Sequence, residues 1–357
     1  MSEKLAMSKT IADVVIVGAG PGGAVVAKRL SEQGLSVVCL EQGGFPDYTL
    51  IKNQGVDFEF TKDRHFSWNP NHRAAPSDYP VDDSESDVAP LMWNGVGGSA
   101  VLYAAAWHRF RPSDFRVRTL DGVADDWPIS YEDLAPYYDR VSVDFSVSGV
   151  AGDPAWPYHD VPLPPFNLKG MEKKMIEAHD RLGWHWWPGS NSIASIKHNG
   201  LEPCVRRGAC LWGCFDGAKA SPDRTHWPKA RRLGAVLLTN ARVQHAEVAQ
   251  EGLARAVVYV DRETGTTYRQ RGRIIVLAAN GLGTPRLLLN SASNAFSDGL
   301  GNRSGMVGKR LMMHPYATVI GLFEDFFENW QGPFGQRLYS MEFAETRKDT
   351  DFLRGAK

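Results

Sequence analysis

The run Asp13-Val14-Val15-Ile16-Val17 enters the cluster Gly18-Ala19-Gly20-Pro21-Gly22-Gly23 with no spacer. Ala24 to Gln33 then reads as helix, Gly34 closes it, and Leu35 to Leu40 is a second strand ending on Glu41. That order of strand, glycine turn, helix, strand and acid is the setting in which the dinucleotide fingerprint has physical meaning. Gly18 supplies the tight turn, Gly20 lets backbone approach a pyrophosphate, and Gly23 allows the helix to sit close on the strand. The helix N-terminus favours phosphate charge. Glu41 lies about 20 residues on, where a carboxylate grips a ribose 2′-hydroxyl. A structural glycine turn in an unrelated α/β unit is the competing reading.

A chain of 357 residues exceeds the roughly 250 to 300 at which a single core divides, so two domains are expected. Its 40 basic and 41 acidic side chains nearly cancel, which gives no reason to expect a nucleic-acid or anionic-membrane partner. No apolar run approaches the roughly 18 residues of a membrane span, and the first residues lack a signal peptide's apolar core. No membrane segment and cytoplasmic residence are therefore the expectations. The 11 tryptophans lie largely in loops, where they either line a ligand cavity or pack irregular segments.

Beyond Glu41, Gln42-Gly43-Gly44 lets backbone pass close to whatever the acid binds. Residues 45–90 are polar and aperiodic, which suits a lid or cover. Glycines in Asn94-Gly95-Val96-Gly97-Gly98-Ser99 bring backbone N–H groups within reach of a ligand. Arg109 and Arg111 read as ion-paired. Ser130 with Asp133 opens a helix by a capping-box variant, and Pro136 is expected to kink or restart it. Prolines between 145 and 170 suit a crossover between domains, and Met171 to Leu182 is a helix ended by Gly183. Val236 to Asn240 reads as a strand extended by Ala241 to Val243. Ala254 to Asp261 and Thr266 to Gln270 form a hairpin, and Arg273 to Ala278 is a further buried strand. A helix capped by Thr284 with Pro285 at its first position follows, returning the chain to the nucleotide fold. Ala317 to Phe323 reads as a strand.

These stretches resemble the glucose–methanol–choline (GMC) oxidoreductases, in particular their bacterial sugar and polyol dehydrogenase or oxidase branch. The glycine cluster with Glu41 to Gly44, the Gly95 to Ser99 loop, Arg109 to Phe115 and Trp127 to Tyr138 carry the likeness. Gly217 to Ser221, Gly283 to Leu289 and Gly308 to Pro315 complete it, in family order. The resemblance implies an α/β fold: a Rossmann-like FAD-binding domain with a second α+β substrate domain built on an antiparallel sheet. The expected division is 1–165 (FAD-binding, with lid-like 45–90), 166–221 (substrate), 222–305 (FAD-binding) and 306–357 (substrate, incomplete).

The resemblance also implies FAD, held by Gly18, Gly20, Gly22, Gly23, Glu41, Gln42, Asn94, Gly97, Gly98, Ser99, Val243, Asn280 and His314. Substrates would be alcohols, in particular a sugar hydroxyl, oxidised by hydride transfer to flavin; the electron acceptor is unknown from these residues. Tyr103 stands where some relatives place a flavin-linking histidine, so non-covalent FAD is expected. Removing the alcohol proton calls for a base titrating near neutrality. The family's late catalytic histidine has no match here. It is expected outside these 357 residues, on a C-terminal continuation or a second polypeptide. His314 belongs to an earlier motif and reads as structural or flavin-adjacent.

Cys39 reads as a small buried hydrophobe. Cys204, Cys210 and Cys214 allow reduced structural thiols, a local disulfide or, less readily, a metal cluster; no metal is expected. Two other functions stay open: an iron–sulfur dehydrogenase subunit feeding a cytochrome, and a non-catalytic flavin-binding assembly subunit.

Overall fold

A computed structural model describes residues 3–52, 66–73, 75, 78, 81–249, 251–313, 317–328 and 330–347. Eight strands lie among them: β1 Ile11–Val17, β2 Val37–Leu40, β3 Trp187–Pro188, β4 Val236–Leu238, β5 Ala241–Val248, β6 Ala254–Asp261, β7 Thr267–Leu277 and β8 Leu338–Tyr339. The chain divides into two compact units, Met1–Leu102 with Ser221–Leu322 and Tyr103–Ala220 with Phe323–Lys357.

The first unit is built on a six-stranded sheet in the order β4-β2-β1-β7-β6-β5. Strands β4, β2, β1 and β7 are parallel, and β7, β6 and β5 are antiparallel. Alternate residues of β1 face opposite sides, and both sides are covered. Val15 and Val17 pack with Leu40, Val243 and Leu287, while Val14 and Ile16 pack with Ala24, Ala27 and Trp227. A central parallel strand buried on both faces has no polar alternation, which is why Val14 to Val17 is unbroken apolar sequence. Complete burial of a side chain such as Ile16 stabilises by about 1.5–3 kcal/mol. The helix Pro21–Glu32 starts without a spacer because proline's fixed φ suits a first helical position.

The second unit contains the helix Tyr131–Asp144, where Asp133 N–H donates to Ser130 Oγ at 3.3 Å and Ser130 N–H donates to Asp133 Oδ2 at 2.8 Å. Pro136 lies inside this helix, which runs on without the expected restart, since a proline removes only one N–H donor from the helix. Helix Gly170–Leu182 ends at Gly183, with φ +67°. Strands β3 and β8 form an antiparallel pair. Asp153 ties them down, accepting from His185 Nε2 at 3.0 Å and from the Tyr339 hydroxyl. Arg109 pairs with Asp139 at 2.7 Å, and Arg111 with Glu345 at 2.6 Å and Asp114 at 3.1 Å.

Several expectations need correction. The first crossing between units falls at 102/103 rather than 165/166, because 103–165 bonds to later residues of its own unit: Trp107 N–H donates to Ser190 O at 2.9 Å and Ser148 N–H to Asn191 O at 2.8 Å. The return crossings fall at 220/221 and 322/323. The stretch 236–243 is two strands on opposite sheet edges, broken at Asn240 with φ +53°. Conversely, 267–277 is one strand: its first half pairs with β6, its second with β1, and Arg271 pairs with both. The following helix is Asn280–Asn290, not a Thr284-capped one; the Thr284 hydroxyl instead accepts from Ala279 N–H at 3.1 Å. Residues 317–323 form no strand among the described residues, since an apolar run becomes a strand only against a partner, and Val319, Ile320 and Leu322 are 95%, 82% and 97% exposed.

Candidate functional site

At the carboxyl ends of β1, β2 and β7 a cavity of about 420 Å³ opens in the first unit. This is where open α/β sheets hold ligands, and the size suits a small molecule. Of the thirteen residues expected on sequence grounds, ten line it: Gly18, Gly20, Gly22, Glu41, Gln42, Asn94, Gly98, Ser99, Val243 and Asn280. His314 lies outside the described residues.

Gly23 and Gly97 act behind the wall. A Cβ on Gly23 would stand 2.0 Å from Gly18 O, so this glycine sets the separation of helix and turn. Gly97 N–H donates to Ala19 O at 3.1 Å, and Trp227 Nε1 donates to the same oxygen at 2.8 Å. Gly18 has φ +103°, and a Cβ there would meet Ala278 O at 2.5 Å, so backbone strain and crowding both demand glycine.

The helix Pro21–Glu32 has no side-chain cap at its N-terminus, and Gly20, Pro21 and Gly22 border the cavity. Glu41 is buried; its Oε2 accepts from Ala19 N–H and its Oε1 from Gly43 N–H, each at 2.9 Å. Burial raises this carboxyl's pKa above its ordinary value, against the bonds from Ala19 and Gly43 that pull it down. The carboxylate thus braces the first turn as well as lining the cavity, and with about four lone-pair sites it keeps capacity for a ligand hydroxyl.

Asn94 is locked from two sides. Gln42 Nε2 donates to its Oδ1 at 2.6 Å, and its own Nδ2 donates to Asp78 Oδ1 at 2.8 Å. Asp78 also takes the Arg73 guanidinium, whose carbon sits 4.8 Å from the Trp93 ring centroid, and Trp93 stacks on Phe66 at 5.2 Å. Phe66, Arg73 and Asp78 of the 45–90 segment are therefore fastened to the cavity-lining Trp93 and Asn94.

Sequence reasoning missed Trp93, Thr284, Arg286 and Leu287 as lining residues. Helical spacing from Gly283 was the available signal for Leu287, but the misplaced helix start concealed it. It also missed Asp223, whose Oδ1 would lie 2.8 Å from a Cβ on Gly97 and whose Oδ2 accepts from Tyr48 OH at 2.9 Å. Burial raises the pKa of Asp223, opposed by bonds from Ser221 and Tyr48.

No histidine lines the cavity among the described residues. In the second unit Cys204, Cys210 and Cys214 are reduced thiols in one apolar cluster around Ala105 and Ile193. Burial pushes the Cys204 thiol up to about 11. Among the described residues no group of three or more His, Cys, Asp and Glu side chains is arranged to hold a metal ion, and no helix is long and apolar enough to cross a membrane.

Residues 12–316 match the family model described as GMC oxidoreductase. The chain is 40% identical over 351 residues to 2-methyl-1,2-propanediol dehydrogenase of Mycolicibacterium austroafricanum, a match covering 96% of this chain and 62% of that protein. It is 29% identical to the fructose dehydrogenase large subunit of Gluconobacter japonicus, over 85% of this chain and 58% of that protein. Among solved structures, pyridoxine 4-oxidase from Mesorbium loti superposes with a TM-score of 0.51 at 22% identity, covering 79% of this chain and 52% of that one. The chain thus spans about three fifths of the length of the two sequence relatives.

Proposed function

The chain belongs to the GMC oxidoreductase family, whose cofactor is FAD, and from that premise we propose that the first unit holds FAD for the oxidation of an alcohol CH–OH group. One observation carries the reading: an uncapped helix N-terminus, a glycine turn and a buried carboxylate border the same cavity. An anionic pyrophosphate fits the helix end, and a ribose hydroxyl fits Glu41. Gly18, Gly20, Gly22 and Gly98 would cradle the phosphates, Asn94 and Ser99 would lie beside the flavin, Val243 would meet the adenine end, and Asn280 would come near the ribose or pyrophosphate. Gly23 and Gly97 would act through backbone position. Bound there, FAD supplies the acceptor for a hydride from the alcohol carbon.

The protein's own task is to orient the cofactor and to bring a base to the substrate hydroxyl. The chain spans about three fifths of the length of its two sequence relatives, and we assign that base to polypeptide outside these 357 residues, either a continuation of this chain or a second one. Exposed apolar side chains at Met312 (88%), Val319 and Leu322 support a covering segment. The relative at 40% identity is named for a small branched diol and the one at 29% for a sugar, so diols and sugars form the substrate panel. Flavin attachment is non-covalent in this reading, with Tyr103 engaged elsewhere, its hydroxyl donating to Ala220 O at 2.6 Å. Cytoplasmic residence belongs to the same proposal.

Titration of the purified chain with FAD, followed by flavin fluorescence, is expected to saturate at one equivalent. Acid precipitation should then release all the colour. Absence of saturable binding would sink the assignment; colour remaining with the precipitate would sink only the non-covalent part.

A further inference from the structure

Resting on the FAD reading above, we propose that Arg286 is the residue that selects the adenylyl half of the dinucleotide, its guanidinium covering one face of the adenine. Only two ionisable side chains line the cavity among the described residues, Glu41 and Arg286. Glu41 braces the first turn through its bonds from backbone N–H groups and faces the ribose hydroxyl, and Arg286 is exposed on the helix Asn280–Asn290.

Its surroundings define what it can recognise. The next residue, Leu287, is buried in one cluster with Ala241 and Val243, and all three line the cavity. Arg286 therefore stands at the edge of an apolar wall. A flat, weakly hydrated ring fits such a place, with one face on aliphatic carbon and the other under a guanidinium, which stacks on π systems and is less strongly hydrated than an ammonium. A phosphate fits it less well, since alanine, valine and leucine side chains offer it no donor. The position along the helix agrees. Asn280, at the first turn, and Arg286 are separated by about 9 Å of helix rise, enough to place one near the phosphates and the other near the base.

The test measures dissociation constants of FAD, ADP and FMN by titration calorimetry for the wild-type chain, Arg286→Ala and Arg286→Lys. Alanine is the best helix former and Arg286 is exposed, so the first variant is expected to keep its fold, checked by circular dichroism and thermal midpoint. Arg286→Ala should weaken FAD and ADP by the same factor, roughly tenfold, and leave FMN unchanged. Arg286→Lys should recover little, because an ammonium lacks the planar face. Unchanged binding of all three ligands by Arg286→Ala would overturn the proposal. So would equal weakening of FMN and FAD, or full recovery with lysine, either of which would make Arg286 a general point charge. A wild-type chain that binds none of the three removes the FAD reading and this inference together, whereas wild-type binding with an indifferent Arg286→Ala removes this inference alone.

Discussion

Two strand–turn–helix crossings lie side by side in the first unit, and they solve one geometrical problem with different chemistry. Strand β1 passes through Gly18 into the helix Pro21–Glu32; its parallel neighbour β7 passes through Ala278 and Ala279 into the helix Asn280–Asn290. Each turn contains a residue in the left-handed region, Gly18 at φ +103° and Asn280 at φ +65°. At the second turn the Asn280 side chain satisfies the helix end itself, its Oδ1 accepting from Leu282 N–H at 2.8 Å and Gly283 N–H at 2.9 Å. At the first no side chain caps the helix. The difference separates a wall from a binding end: a helix N-terminus attracts an anion when its own sequence leaves the donors to be met from outside.

The comparison can be broken at several points. Gly23→Val should have the largest effect, since even a Cβ would lie 2.0 Å from Gly18 O. A loss of about 3 kcal/mol or more is expected in chemical denaturation. A native-like midpoint would mean that the first crossing is not tightly packed. Gly18→Asn tests whether the two solutions are interchangeable. Asparagine tolerates the left-handed region, but here its Cβ would meet Ala278 O at 2.5 Å, so a loss of about 2 kcal/mol and of FAD binding is expected. Stability and affinity retained by the variant would show that glycine is dispensable at this turn.

Glu41→Gln replaces one carboxylate oxygen with an amide that cannot accept, at a cost of about 1–3 kcal/mol near neutrality. Its pH dependence has a definite sign. Because burial raises the folded-state pKa of Glu41, the native chain binds the proton more tightly than the unfolded chain. The residue's contribution to stability therefore falls as pH rises from the unfolded carboxyl value through the folded one, then levels off. Thermal midpoints across that window should show this fall in the wild type, and the variant should lack it; parallel curves would contradict the burial argument.

Asn280→Ala removes the internal cap and leaves a Cβ residue at φ +65°, with an expected loss of about 1–2 kcal/mol and a smaller change in FAD affinity than at Gly18. The smallest stability effect belongs to Gly22→Ala, where a Cβ meets nothing within 4 Å. Helix propensity predicts a gain of up to about 1 kcal/mol. FAD affinity should nevertheless fall, because Gly22 borders the cavity. Unchanged affinity would move the phosphate away from this helix end.

The first crossing was legible because everything that makes it is local: an apolar strand, a glycine turn, a capless helix and an acid within one short stretch. The second was only half legible. Thr284-Pro285 carries a conventional helix-start signal, but Asn280 starts the helix earlier by accepting N–H groups one turn on, which propensity alone does not reveal. Pairing is equally hidden. Nothing in 267–277 announces that Arg271 changes the strand's partner from β6 to β1, and nothing in 236–243 shows that Asn240 sends its two halves to opposite edges. The same limit explains Ala317 to Phe323, whose apolar composition states a need for cover without naming what provides it. Within the cavity the glycines, Glu41 and Asn94 were found because motif spacing encodes them. Arg286 was not, nor was Asp223 behind Gly97, because their positions depend on how distant segments pack.

The central strand of the sheet has a partner that arrives late. Ile11 pairs with Arg271, so β1 leaves the ribosome long before β7 has been made. At about 5–20 residues per second the interval is on the order of ten to fifty seconds. Throughout it a strand whose run Val14 to Val17 is buried in the native sheet carries one vacant edge, a natural client for a holding chaperone.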